Sequence, residues 1–275
     1  MTRISRWLPA STALALLCNI SASAKADADS KSITEADTVL AIFAHPDDEL
    51  IVAPALARLA RQGAEVHILY ATRGDLSAPQ TDLPPGEEIA ALRSDEARCA
   101  SQALGLSDAM LLDFGDGTLG QRTRPNNRIL GSLADQIRAQ IDDFHPDLVI
   151  SWGPEGGYGH PDHRLISAVV TEVVQSMGND RPQLLYPGIA NGSIPDIPEA
   201  KVIPWITTDP ALLTISIAYD ETDLAASRAA FPCHKSQYVN TLLIQGADLF
   251  HQTIWQGAVH FRPAFAPAAE NSGRD

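Results

Sequence analysis

The stretch Thr38-Val39-Leu40-Ala41-Ile42-Phe43-Ala44-His45-Pro46-Asp47-Asp48-Glu49 decides how this chain is read. Its first six residues are β-branched and apolar without alternation, which predicts a strand buried on both faces. An imidazole, His45, and two adjacent carboxylates, Asp47 and Asp48, follow at once. The apolar-rich segment Leu50 to Leu59 then predicts a helix, ended by Gly63. In open α/β sheets, ligands bind beyond the carboxyl ends of the strands, where these three groups sit. Capping the helix needs one carboxylate only. The three together therefore read as half of a metal site.

Working outward, Ala64 to Ala71 predicts a second strand, closing a βαβ unit with the first. A long loop with prolines 79, 84 and 85 leads to a helix over Glu87 to Leu104. A strand at Ala109 to Leu112, a helix over Asn127 to Phe144, a strand at Asp147 to Ser151 and a helix over His160 to Met177 continue the alternation. Strands alternating with helices predict an α/β fold: a Rossmann-like, doubly wound, mostly parallel sheet with helices on both faces. A single domain over 38–264 is expected. Residues 178–210 hold six prolines and three glycines. They read as an irregular insertion with a short strand at Leu184 to Tyr186. A strand over Ala211 to Ala218 and a helix over Asp220 to Phe231 follow. Residues 240–256 are mixed, and 265–275 read as a loose tail.

The N-terminus carries Arg3 and Arg6, the apolar run Trp7 to Leu17 and the small-x-small pattern Ala22-Ser23-Ala24. This reads as a signal peptide over 1–24, with a flexible lead-in over 25–37. Export to a periplasmic or extracellular location is the expectation. The net charge of −14 argues against nucleic acid and anionic membranes as partners. No run approaches the roughly 20 apolar residues of a membrane span, so no stable membrane insertion is expected once the leader is gone. Beyond the leader only Cys99 and Cys233 remain. Their spacing excludes a Cys-x-x-Cys zinc cage and leaves open whether they pair.

The other half of the site is Gly159-His160-Pro161-Asp162-His163, again after a strand. His45 and Asp48, like His160 and His163, stand at i, i+3, which puts each pair on one helix face. Either motif alone would more often be a capped helix with a solvated histidine. Two such junctions at the strand ends of one sheet can converge on one cleft. A catalytic zinc typically takes three His, Asp or Glu ligands and keeps one position open.

Together, AHPDDE at 44–49 and GHPDH at 159–163 resemble the LmbE-like, PIG-L family of zinc-dependent N-acetylglucosaminyl deacetylases. Arg93 and Glu96 resemble the family's R-x-x-E. Asp116-Gly117 resembles its strand-end turn, and His234-Lys235-Ser236-Gln237 its C-terminal H-x-S-Q. The resemblance implies His45, Asp48 and His163 as ligands of one Zn2+ ion and Asp47 as general base. It implies His160 as general acid or oxyanion stabiliser, oriented by Asp162, with Tyr158 stabilising the transition state. Arg93 and Asp116 would contact sugar hydroxyls. Where the family has glycine in the first helix, this chain has Ala53 and Pro54, and 178–210 matches no family segment.

The implied activity is removal of acetyl from an N-acetylated sugar or glycoconjugate. The physical logic agrees: zinc lowers the pKa of a water to about 7, a non-ligand carboxylate takes its proton, and donors meet the oxyanion. An alternative keeps the metal and changes the bond, to a zinc amidase acting on a larger N-acyl conjugate. A non-catalytic carbohydrate-binding protein is disfavoured, because binding needs no base at Asp47.

Overall fold

The computed structural model describes residues 33, 35–119, 128–196 and 203–265. Its frame is one seven-stranded sheet: β1 (Thr38–Phe43), β2 (Glu65–Tyr70), β3 (Met110–Leu111), β4 (Leu148–Ser151), β5 (Gln183–Pro187), β6 (Ile215–Ala218) and β7 (Ala258–Pro263). The spatial order is β3-β2-β1-β4-β5-β7-β6. The first five strands pair in parallel, and β7 runs antiparallel to both β5 and β6. β1 is central, and Val39 to Phe43 are wholly buried, as an unalternating apolar run requires.

The helices are α1 (Ala53–Arg61), α2 (Glu87–Leu104), α3 (Arg128–Phe144), α4 (Pro161–Ser176), α5 (Glu221–Ala230) and α6 (Asn240–Phe250). From β1 the chain steps outward through α1 and α2, then returns through α3 to β4 and steps the other way through α4. Right-handed crossovers in opposite directions place the two groups on opposite faces of the sheet. Accordingly α1, α2 and α5 pack together, and α3 packs with α4. Strand order reverses between β1 and β4, so the crevice at their carboxyl ends is the topological switch point.

Several sequence expectations shift. The first helix begins as a 3-10 turn over Asp48–Val52, and Pro54 lies in the first turn of α1, where proline is tolerated. The stretch 178–210 is not wholly an insertion, because β5 within it completes the parallel sheet beside β4. The mixed region 240–256 is α6 followed by a π-helical turn over His251–Trp255. Cys99 and Cys233 form a disulfide, tying α2 to the 3-10 turn Phe231–His234. The leader at 1–24 and nearly all of the tail at 265–275 lie outside the described residues.

Candidate metal centre

The tip of β1 and the loop after β4 bring the two motifs together. Asp48 closes the first turn, its Oδ2 accepting the backbone N–H groups of Ala44 and His45, both at 3.0 Å. That turn aims the His45 ring at the β4 side. There, Gly157 holds a left-handed conformation (φ 67°) tight against Trp152, where a Cβ would come within 2.9 Å of the indole. Trp152 in turn stacks on the His163 ring at 4.6 Å and 6°.

Ligand-type atoms of three residues converge. His45 Nδ1 lies 3.2 Å from His163 Nε2, His163 Nε2 lies 3.0 Å from Asp48 Oδ1, and His45 Nδ1 lies 3.8 Å from Asp48 Oδ2. All three residues are buried. An ion with tetrahedral bonds of about 2.0–2.2 Å needs donors roughly 3.2–3.6 Å apart, so the donor set fits a small divalent metal. His160 brings a third imidazole nitrogen within 4.8 Å of those of His45 and His163.

The far nitrogen of His45 is also held. Its Nε2 lies 3.0 Å from Asp116 Oδ1 and 3.4 Å from Asp162 Oδ2. A carboxylate on the second ring nitrogen is the usual support of a metal-ligating histidine, fixing tautomer and orientation. Burial alone would depress the His45 pKa. The bonds to Asp116 and Asp162 and the charge of Asp48 outweigh it and raise the ring to about 10. Asp48 moves the other way. Burial opposes its ionisation, but His163 and His45 hold the carboxyl well below its usual range. The cluster thus favours a cation between these groups.

Asp47 stands beside the cluster in a left-handed conformation, φ 107° and ψ −15°, and its side chain caps nothing. Tyr238 donates its hydroxyl to Asp47 Oδ2 at 3.0 Å, and Arg93 Nη2 lies 3.3 Å from Oδ1. Glu49 accepts the Asp47 backbone N–H at 3.0 Å. Burial raises the Asp47 pKa; Arg93 offsets part of this, and the charges of Asp48 and Glu49 add to the rise.

The remaining expected residues fall as follows. Tyr158 is partly exposed in the cleft, its phenol kept protonated by burial and by the Asp48 and Asp47 charges. His160 caps α4, its Nδ1 accepting the Asp162 backbone N–H at 3.2 Å, so the neutral ring carries its proton on Nε2. Burial and the neighbouring His163 and His45 hold its pKa below 6.5. The sequence reading attached Asp162 to His160. The structure also brings the Asp162 carboxylate to His45 and to the Gly117 N–H, at 2.7 Å from the latter. Arg93 and Asp116, expected to face sugar hydroxyls, are both buried beneath the cluster. Arg93 donates to the Pro46 carbonyl at 2.5 Å and pairs with Asp47 and Asp116.

Two groups escaped the sequence reading. Glu49 is fully buried, bonded to His234 Nε2 at 2.5 Å and to the Tyr70 hydroxyl at 2.6 Å. Tyr238 follows the His234 to Gln237 motif directly, and that adjacency was the one signal for it. A cleft of about 370 Å³ opens beside Asp47, Asp48 and Tyr158.

Comparisons with known proteins agree with this geometry. The family model described as PIG-L, GlcNAc-PI de-N-acetylase, matches residues 40–174, which include both motifs. A 1D-myo-inositol 2-acetamido-2-deoxy-alpha-D-glucopyranoside deacetylase of Corynebacterium diphtheriae is 29% identical over 224 residues, covering 72% of this chain and 75% of the relative. Among solved structures, N,N'-diacetylchitobiose deacetylase from Pyrococcus horikoshii superposes with a TM-score of 0.60 at 20% identity, over 89% of this chain and 90% of that one. The A40926 pseudoaglycone deacetylase Dbv21 gives 0.59 at 20% identity, over 85% and 99%.

These matches correct one expectation. Export was read from residues 1–24, which lie outside the described residues. The relatives matched over most of their length are sugar-inositol deacetylases. Their likeness, rather than the leader, now guides location, and the periplasmic or extracellular placing is withdrawn. With both motifs converged at the switch point of the sheet and the family model spanning them, residues 40–174 of this chain carry the PIG-L, LmbE-like family's domain.

Proposed function

We propose that this chain is a zinc-dependent N-deacetylase acting on a substrate of the N-acetylglucosamine type. The observation that carries the metal is the 3.0–3.8 Å spacing of the His45, Asp48 and His163 donor atoms, backed by carboxylates on the far nitrogen of His45. The family and its deacetylase relatives support amide hydrolysis as the reaction. Zinc held there supplies Lewis acidity, polarising the amide carbonyl and making water acidic enough to lose a proton near neutral pH.

The chain's own residues do the rest. Asp47 takes the proton of the attacking water, and a raised pKa makes it a better base at neutral pH. Arg93 and Tyr238 hold its two oxygens in place. Tyr158, protonated at working pH, and the Nε2–H of His160 donate to the carbonyl oxygen as it gains charge. His160 stays neutral, because its pKa is lowered, and the proton that Asp47 takes from the water passes on to the leaving amine. Asp116 and Asp162 orient His45.

The test pairs two substitutions. His163→Ala should lose bound zinc by elemental analysis and lose amine release from N-acetylglucosamine derivatives. Asp47→Asn should keep the metal and lose about 10²–10⁴-fold in turnover. Chelator-resistant amine release by the unaltered protein would overturn the metal, and full turnover by Asp47→Asn would overturn the base.

A further inference from the structure

The cleft beside the metal cluster is walled mainly by aromatic and aliphatic side chains. Asp47, Asp48 and Tyr158 form its inner end. Beyond them Trp152, Trp205, Phe231, Leu242 and Phe250 line a mainly apolar wall, with Gln237 and Tyr238 the polar residues on it. The aromatic rings make a continuous edge-to-face chain: Tyr158 to Trp205 at 5.7 Å, Trp205 to Phe250 at 6.2 Å and Phe250 to Phe231 at 5.5 Å. The Ile206 N–H bonds the Gly157 carbonyl at 2.8 Å, which fixes the Trp205 side of this wall to the catalytic loop.

Polar side chains are few there, and those of Gln237 and Tyr238 already make hydrogen bonds. The Gln237 side-chain amide donates to the Ser77 carbonyl and to Ser236 Oγ, both at 2.9 Å. The Tyr238 hydroxyl is spent on Asp47. Few groups in this cleft are free to pair with the hydroxyls of a sugar ring. Asp116, Arg93 and His160 flank the cluster without lining the cleft. Arg93 and Asp116 are buried beneath the cluster, so the open space beside it is the cleft itself.

An amide carbonyl has two substituents, and they point apart. Resting on the deacetylase reading above, we propose that the cleft receives the acyl group, with the amino sugar on the other side of the amide, so the preferred substrate is an amino sugar bearing an N-acyl chain longer than acetyl. A volume of about 370 Å³ lies in the range of pockets that bury a whole small molecule and far exceeds a methyl group. The reaction is unchanged in kind. The amide C–N bond breaks, water's oxygen joins the acyl carbon to give a carboxylate, and the amine leaves with a proton.

The experiment measures amine release by the zinc-loaded full chain from N-acetyl-, N-butanoyl-, N-hexanoyl- and N-octanoylglucosamine, with the octyl glycoside of N-acetylglucosamine as a second arm. Each buried methylene is worth up to about fourfold, so kcat/KM should rise at least tenfold from acetyl to hexanoyl. Leu242→Gln should lower the hexanoyl-to-acetyl ratio several-fold, and circular dichroism should show the variant folded. Acetyl cleavage with flat or falling rates along the series would overturn the inference and leave the deacetylase reading standing. A gain from the octyl aglycone in place of the acyl chain would overturn it too. Cleavage of none of these amides, by protein shown to hold zinc, would overturn both.

Discussion

Asp47 holds φ 107°, a conformation that costs a non-glycine residue about 1–2 kcal/mol. Three partners keep it there: Glu49 on its N–H, and Arg93 and Tyr238 on its oxygens. Its carboxylate is also disfavoured, since burial and the adjacent Asp48 and Glu49 charges raise its pKa despite Arg93. A raised pKa means the ionised form weakens the folded state above the unfolded value. Asp47→Asn removes that charge while keeping a residue that tolerates the left-handed region. Its thermal midpoint should equal or exceed that of the parent protein even as turnover is lost; a fall of the size a core truncation gives would show that Asp47 is structural. The ligand-type residues were legible because the motif spells them at fixed spacing after an apolar strand. Tyr238 and Glu49 were not, because their partners lie 191 and 185 residues away along the chain, as the Tyr238–Asp47 and Glu49–His234 contacts show.

At the scale of elements, Glu49 joins the 3-10 turn after β1 to the Phe231–His234 turn. Burial works against both charges, and each partner's charge overcomes it: the His234 pKa is raised above 6.5 and that of Glu49 lowered below 4.5. The signs differ. The stability from His234 is complete below about pH 6.5 and fades as pH rises through its folded pKa. The stability from Glu49 is complete above about pH 4.5 and fades as pH falls through its folded pKa. His234→Ala should therefore cost about 3–5 kcal/mol near pH 5.5, where both are charged and one would be left buried alone. Urea unfolding at pH 5.5 and at the alkaline end should show the cost shrinking at high pH; a pH-independent cost would mean the pair is not ionic. The parallel strands were readable as unbroken apolar runs. β7 was not, although its Val259 and Phe261 are buried and its His260 and Arg262 face outward in strand alternation. The apolar helix α6 and a π-helical turn precede it and blur the period. β5 was read as a short strand at Leu184 to Tyr186, but the prolines and glycines around it hid that it completes the parallel sheet.

Across the whole molecule, the Cys99–Cys233 disulfide closes a loop of 134 residues that contains β4, both histidines of the second motif and the β5–β6 crossing. Besides Cys18 the chain has only these two cysteines, yet spacing along the chain could not show that α2 and the Phe231–His234 turn meet. That contact depends on α5 packing against α2. Tying so long a loop restricts the unfolded chain, and removing such a bond costs about 2–5 kcal/mol. The bridge also anchors the turn that carries His234 onto Glu49 and Phe231 into the cleft wall. The double variant Cys99→Ser with Cys233→Ser should thus lose stability in urea by that amount. It should also lose more activity on apolar N-acyl chains than on acetyl, because the wall loosens while the candidate ligands, in the turn after β1 and on α4, stay in place. Equal losses on both substrates would show that the bridge acts on the fold alone. Unchanged stability would show that packing between α2 and α5 holds the turn without it.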